Sequence, residues 1–278
     1  MTITKRDLLV ALGASIGAGI ASPNGMAGDA GKASDTAVPV HDMSMFPAHW
    51  HGAEKIAFLA YPQFTALDLV GPHYMIGNLM GATTHIVAKT RDPVVSDMNL
   101  AIVPTATFDD CPKDLDVICV PGGTTGTITA MRDEATIDFL RDRGARAKFV
   151  ASVCTGSLVL GAAGLLRGYK ATSHWATRDL LPIFGAEPVN AHVVTDRNRI
   201  TGAGVTAGLD MGLSFLAMQR DADYARAVQL IAEYHPEPPF DAGTPERAGA
   251  KATAMMTTMF EPFVAEAKNA AEAAMRKL

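Results

Sequence analysis

The sequence predicts a doubly wound α/β fold, a mostly parallel sheet with helices on both faces. Short apolar runs alternate with longer helical stretches between residues 55 and 234. Pro-Gly and Gly signals close the runs, as at Pro121-Gly122-Gly123. The chain has 278 residues and 48% hydrophobic content, enough for one large domain and too apolar for disorder over most of its length.

Residues 55–61 form an apolar run stopped by Pro62, a buried strand. A helix is expected over about 67–80, its start made irregular by Gly71-Pro72. Residues 84–88 read as a second strand. Residues 94–96 and 101–103 flank Asp97-Met98-Asn99 and read as a hairpin. Residues 117–120 form another buried strand, and residues 134–147 a helix capped by Asp133. Then come a strand at 149–153 and a helix at 155–163 closed by Gly164. Short strands at 193–195 and 199–201 precede helices at 207–219 and 222–234, the latter capped by Asp221 or Asp223.

The ends differ from this pattern. Lys5 and Arg6 precede an apolar, Gly-containing run and then small residues, the order of a secretory leader over residues 1–33. Thr4-Lys5-Arg6-Asp7-Leu8-Leu9 resembles a twin-arginine motif with Lys in the first Arg position, so the expected destination is the periplasm. Residues 34–53 read as a linker. His41, Met43, Met45, His49 and His51 are ligand types that suit copper, but their spacing fixes no geometry. The reading taken is an arm whose Met, Phe46 and Trp50 side chains pack on the domain. Residues 54–243 form the α/β domain, and residues 244–278 a helical extension. There, Met255, Met259, Phe263 and Ala267 share one stripe, suited to the core or a partner subunit.

Net charge is −5, which implies no basic face for nucleic acid. Three cysteines exclude a disulfide framework and a thiolate-rich zinc site. No uncharged apolar run after residue 40 reaches the roughly 20 residues that span a bilayer, so no stable membrane insertion is expected.

The most informative segment is Ala151-Ser-Val-Cys-Thr-Gly-Ser157. A strand runs into Cys154 and a helix begins at once, with small Ser152 and Gly156 two residues to either side. A nucleophile elbow needs this, because its turn is strained and strand and helix approach closely. The helix N-terminus favours thiolate. The alternative is a buried structural cysteine, the reading given to Cys111 and Cys119. Asp68 is a lone acid in an apolar stretch after the first strand, either an acid partner for Cys154 or a helix cap. Strand carboxyl ends share one rim in such sheets, so the two can meet. The N–H groups of Gly122 and Gly123, with that of Thr155, are candidates to hold a developing negative charge.

With these segments the chain resembles the ThiJ/PfpI superfamily over about residues 54–243, most closely its isonitrile hydratase branch. The resemblance lies in residues 62–72 with Asp68, Val120-Pro-Gly-Gly123, Ser152-Val-Cys-Thr-Gly156, Ala171-Thr-Ser-His-Trp175, residues 201–210 and residues 233–241. It implies a flavodoxin-like, class I glutamine-amidotransferase-like fold. It also implies Asp68, Cys154 and Thr155 as catalytic residues, hydration of an isonitrile to an N-substituted formamide, no metal or organic cofactor, and a homodimer. Thr155 stands where the peptidase branch has His. His174, twenty residues after Cys154, matches the spacing of a pocket His in the deglycase and glyoxalase branch, and reads equally as a structural residue. Two further alternatives are a dicarbonyl glyoxalase or deglycase and a non-catalytic ligand-binding or thiol-oxidising sensor. A regulator fused to a DNA-binding module is not expected, since few residues follow Gly243.

Overall fold

The computed structural model describes residues 44–277. The leader expected over residues 1–33 and the first part of the 34–53 linker, with His41 and Met43, lie outside the described residues. Strand β1 (Lys55–Leu59) leads into helix α1 (Ala66–Gly77), and β2 (Thr83–Ala88) follows. A small hairpin, β3 (Val94–Val95) and β4 (Ala101–Ile102), precedes β5 (Ala106–Thr107) and β6 (Val117–Val120). Helices α2 (Thr125–Arg132) and α3 (Glu134–Arg146) lead to β7 (Phe149–Val153) and α4 (Gly156–Ala162). Strands β8 (Lys170–Ala171) and β9 (Glu187–Pro188) pair with each other around a 3-10 segment, Arg178–Phe184. Strands β10 (Val193–Asp196) and β11 (Arg199–Gly202) are followed by α5 (Ala207–Gln219), α6 (Ala222–Ile231), α7 (Pro245–Ala248) and α8 (Ala250–Met275).

The main sheet has seven strands in the order β10-β11-β7-β6-β1-β2-β5. Every neighbouring pair is parallel except β10–β11. Helix α1 packs on α5 and α5 on α6, while α2 packs on α3, α4 and α8. The doubly wound expectation holds, with strands buried along their length because helices cover both faces. From β1 the chain moves outward to β2 and β5, then returns to β6 on the other side. The carboxyl ends of β1 and β6 therefore flank the switch point, where such sheets open a crevice.

Some local readings change. Helix α1 runs through Pro72 without a break. Its buried residues, from Asp68 to Ile76, hold it against the sheet and α5 despite the lost N–H. Helix α2 carries Thr, Gly and a β-branched Ile and has no strong helical signal in its sequence. It forms because Thr127, Ile128, Ala130 and Met131 are buried, and because the Thr127 hydroxyl donates to Gly123 O (2.9 Å). The Asp133 cap is present, accepting from Thr136 N (3.0 Å), and Asp221 rather than Asp223 caps α6 through Tyr224 N (2.7 Å).

Trp50 sets its ring edge against Tyr224 (4.9 Å between centroids) and donates from Nε1 to Asp221 (2.9 Å). Phe46 stacks on Trp50 (5.4 Å). The C-terminal stripe divides: Ala267 is buried and Phe263 packs on the core, while Met255 and Met259 are exposed. No helix among the described residues is long and apolar enough to cross a membrane.

Candidate active site

Cys154 belongs to neither β7 nor α4. It sits between them, followed only by the cap residue Thr155, with φ of 59°, a left-handed conformation that costs a non-glycine residue on the order of 1–3 kcal/mol. The surroundings enforce it. Its N–H donates to Gly202 O (3.0 Å) on β11, and its carbonyl accepts from Ser157 Oγ and Ser173 Oγ (3.2 Å each). The elbow read from the sequence is present, and Gly156 lies so close to the Val120 and Pro121 carbonyls that no Cβ fits there.

Asp68 reaches the elbow from the third position of α1. Its Oδ2 accepts from Gly122 N (2.9 Å). Oδ1 is buried with no hydrogen-bond partner in good geometry, and the Cys154 thiol faces the carboxyl. Burial pushes the Asp68 carboxyl up to about 7, and the charge of Asp97 adds to the rise; the Gly122 N–H and the thiol oppose it. Cys154 is raised well above the ordinary thiol range, first by burial and then by the Asp68 charge. The Thr155 N–H and hydroxyl pull it back only in part. A resting thiolate, expected from the helix N-terminus, is therefore disfavoured: desolvation and a facing carboxylate outweigh a seven-residue helix.

Thr155 is a clamp. Its hydroxyl donates to Gly123 O (2.7 Å), accepts from Gly123 N (2.9 Å) and meets Thr127 Oγ1 (2.8 Å). Behind it, Tyr61 OH donates to Pro121 O (2.7 Å). The N–H groups of Gly122 and Gly123 thus do not face open space. Gly122 N orients Asp68 and Gly123 N orients Thr155. A Cβ on Gly122 would lie 2.6 Å from Thr155 N, backbone that cannot yield, so only glycine fits. Thr127 and Tyr61 were not singled out from the sequence; the signal available was a run of Thr residues directly after Pro-Gly-Gly.

His174 lies on the far side of Ser173 from the elbow carbonyl. Its ring packs on Trp175 (5.5 Å) and on Phe260 of α8 (5.3 Å), and Nδ1 accepts from Ala176 N (3.4 Å). Burial lowers its pKa, favouring neutral imidazole. These contacts tie the ring to the aromatic cluster, and its link to the elbow runs through Ser173, whose hydroxyl donates to Cys154 O. A cavity of about 480 Å³ opens at the ends of β1 and β2, lined by Tyr61, Gln63, Val95, Phe108 and Thr129 among others. It holds no thiol, and its amine, Lys89, is paired with Asp133 (2.5 Å), so the elbow is the better centre for chemistry. Among the described residues no His, Cys, Asp and Glu cluster could hold a metal ion.

Comparison with known proteins gives the same picture. Residues 54–218 match the DJ-1/PfpI family. An isonitrile hydratase of Pseudomonas putida is 52% identical over 196 residues, covering 70% of this chain and 85% of that protein. The crystal structure of a ThiJ/PfpI family protein from Pseudomonas syringae superposes with a TM-score of 0.81 at 56% identity, covering 86% of this chain and 98% of that one. A deglycase of Pyrococcus horikoshii is 29% identical over 148 residues, 53% of this chain and 88% of that protein.

Proposed function

The chain belongs to the DJ-1/PfpI family, and from that premise we propose that it is an isonitrile hydratase, forming N-substituted formamides with Cys154 as nucleophile and Asp68 as acid and base. The observation that carries this is a protonatable carboxyl facing a buried thiol, with no cation among the groups that act on either. An isonitrile carbon carries a lone pair and becomes electrophilic once protonated. Asp68 gives its proton to that carbon. Sulfur attacks the resulting nitrilium while the Asp68 carboxylate takes the thiol proton, so S–H is added across one carbon. The product is a thioimidate, R–N=CH–S–Cys154. Asp68 then protonates its nitrogen and accepts a proton from the attacking water. The C–S bond breaks, the hydroxyl proton returns through Asp68 to sulfur, and R–NH–CHO leaves. One water is consumed and both side chains end as they began. Thr155 holds the elbow through its hydroxyl and offers its N–H to the sulfur as charge develops.

The test is a pair of assays on purified protein: formamide formation from cyclohexyl isocyanide, and loss of methylglyoxal. Formamide formation with no dicarbonyl loss is expected; the reverse would assign the chain a deglycase-type activity. A homodimer is supported by Leu67, Val70 and Tyr74 on the outer side of α1 and Met98, Leu100 and Val103 on the neighbouring hairpin, all exposed. Light scattering at micromolar concentration checks it, with a monomer as the contrary result. Export to the periplasm by the twin-arginine route rests on the leader pattern alone. N-terminal sequencing from the native host decides it, an intact Met1 or Thr2 in a cytosolic fraction being the refuting outcome.

A further inference from the structure

The β3–β4 hairpin carries an acid that the proposed mechanism does not use. Asp97 occupies the hairpin turn beside Met98, which is exposed, and Asn99, which has φ of 62°. Asp97 itself turns inward. Its N–H donates to Phe64 O (3.0 Å), and its Oδ2 accepts from Thr65 Oγ1 (2.6 Å). Thr65 is the residue immediately before α1, three positions before Asp68, and its own N–H donates to Gly122 O (2.8 Å). Next to it, Gln63 N donates to Val95 O (2.8 Å). The hairpin is thus bonded at several points to the loop that launches the acid-bearing helix. The other oxygen of Asp97, Oδ1, is buried and has no hydrogen-bond partner. A buried carboxylate oxygen left unpaired is costly, and a cost kept at one place in the fold calls for an explanation.

We propose that Asp97 is the positioning residue of this site: through Thr65 it fixes the start of the helix that carries Asp68, and it sets a second negative charge beside that acid. The proposal deepens the hydratase reading, and rests on it only for what the Asp68 proton is used for. The surroundings of Asp68 leave Asp97 unopposed. The titratable groups facing it are Cys154 from the elbow, Cys119 from β6, Tyr61 from the end of β1 and Asp97 from the hairpin. No Arg, Lys or His is among them. Arg91, the cation leading into the hairpin, is turned to Asp110 and to Thr105 O. Negative charge from Asp97 is felt by both Asp68 and Tyr61, in each case against ionisation.

The test reads Asp68 directly. Protein labelled with ¹³C at the aspartate side-chain carboxyls is titrated by NMR, and the Asp68 signal is the one that Asp68→Asn removes. The wild-type midpoint is expected near 7. Asp97→Asn should lower it measurably, and Asp97→Glu should restore most of the difference. Thr65→Val removes the link but not the charge; it should move the midpoint less than Asp97→Asn and still lower kcat. An Asp68 midpoint unmoved by Asp97→Asn, in protein that melts like wild type, overturns the proposal. Should Asp97→Asn not fold, Asp97→Ser against Asp97→Glu makes the same comparison, and equal midpoints overturn it. No substrate enters the NMR midpoints, which alone decide the proposal. Absence of formamide from isonitriles would sink the hydratase reading and leave the Asp97–Asp68 coupling standing.

Discussion

Two groups of side chains flank the same elbow. On one side Asp68 brings a carboxyl towards a thiol and Asp97 stands behind it, with a buried unpartnered oxygen on each acid. On the other, Ser173 joins the elbow carbonyl to His174, whose ring is packed between Trp175 and Phe260. Both groups contain a titratable residue that the sequence marks as a candidate. The first is held where ionisation is costly and proton transfer relieves the cost. The second is a neutral ring whose polar atom bonds a backbone N–H. The contrast between the two is one of incomplete against complete satisfaction, not of residue type.

The largest expected effects break or keep the acidic side. Cys154→Ala should abolish turnover, because Cys119, the other thiol near Asp68, is buried inside β6 with its pKa pushed up to about 12, and Cys111 is buried in a loop. Asp68→Asn keeps the shape and removes the proton, and should lower kcat by roughly 10²-fold or more. The double variant should be little worse than Cys154→Ala alone, since the two act as one unit. Full isonitrile turnover by Cys154→Ala, measured as formamide, would end the covalent mechanism.

A smaller effect concerns pH. With Asp68 as the initial proton donor, kcat should fall as pH rises through about 7. The same shift has a stability sign. A carboxyl whose pKa is raised on folding, here from 3.8 to about 7, contributes fully below its unfolded value, and that contribution is lost as pH rises through the folded one. The loss is on the order of 4 kcal/mol for a complete shift of that size. Thermal melts from pH 5 to 8 should therefore fall in wild type and flatten in Asp68→Asn. A parallel fall in both would place the charge elsewhere.

Much of this contrast was legible in the sequence. The elbow follows from Ser152-Val-Cys-Thr-Gly156, because only small neighbours let strand and helix turn around Cys154. Asp68 and Cys154 meet because each follows a strand that ends on one rim. The thiol's acidity was not legible: a helix N-terminus is visible in sequence, whereas the depth of burial that overrides it is not. Asp97 and Thr127 were missed for another reason. Their partners Thr65 and Thr155 lie 32 and 28 residues away, and neither bond has a local pattern. Helix α2 likewise exists through tertiary burial rather than propensity. His174, at a spacing that suits a pocket residue, shows what spacing leaves open: its neighbour Ser173 bonds the elbow carbonyl, while its own ring packs on Phe260 of α8.

The smallest expected effect is on that aromatic flank, and it sharpens the comparison most. His174→Phe keeps a flat ring against Trp175 and Phe260 and removes Nδ1, the acceptor for Ala176 N. If the flank only supports the elbow, isonitrile kcat should stay within about threefold of wild type, because no proton in the hydration passes through it. Stability should drop by about 1 kcal/mol, the usual worth of one hydrogen bond, seen as a lower melting temperature. His174→Ala should cost more, since it also opens a gap beneath α8. A 10²-fold loss of kcat in His174→Phe with melting unchanged would place a catalytic proton on the ring. The flank would then share the chemistry with Asp68, and the dicarbonyl activity would become the reading to pursue.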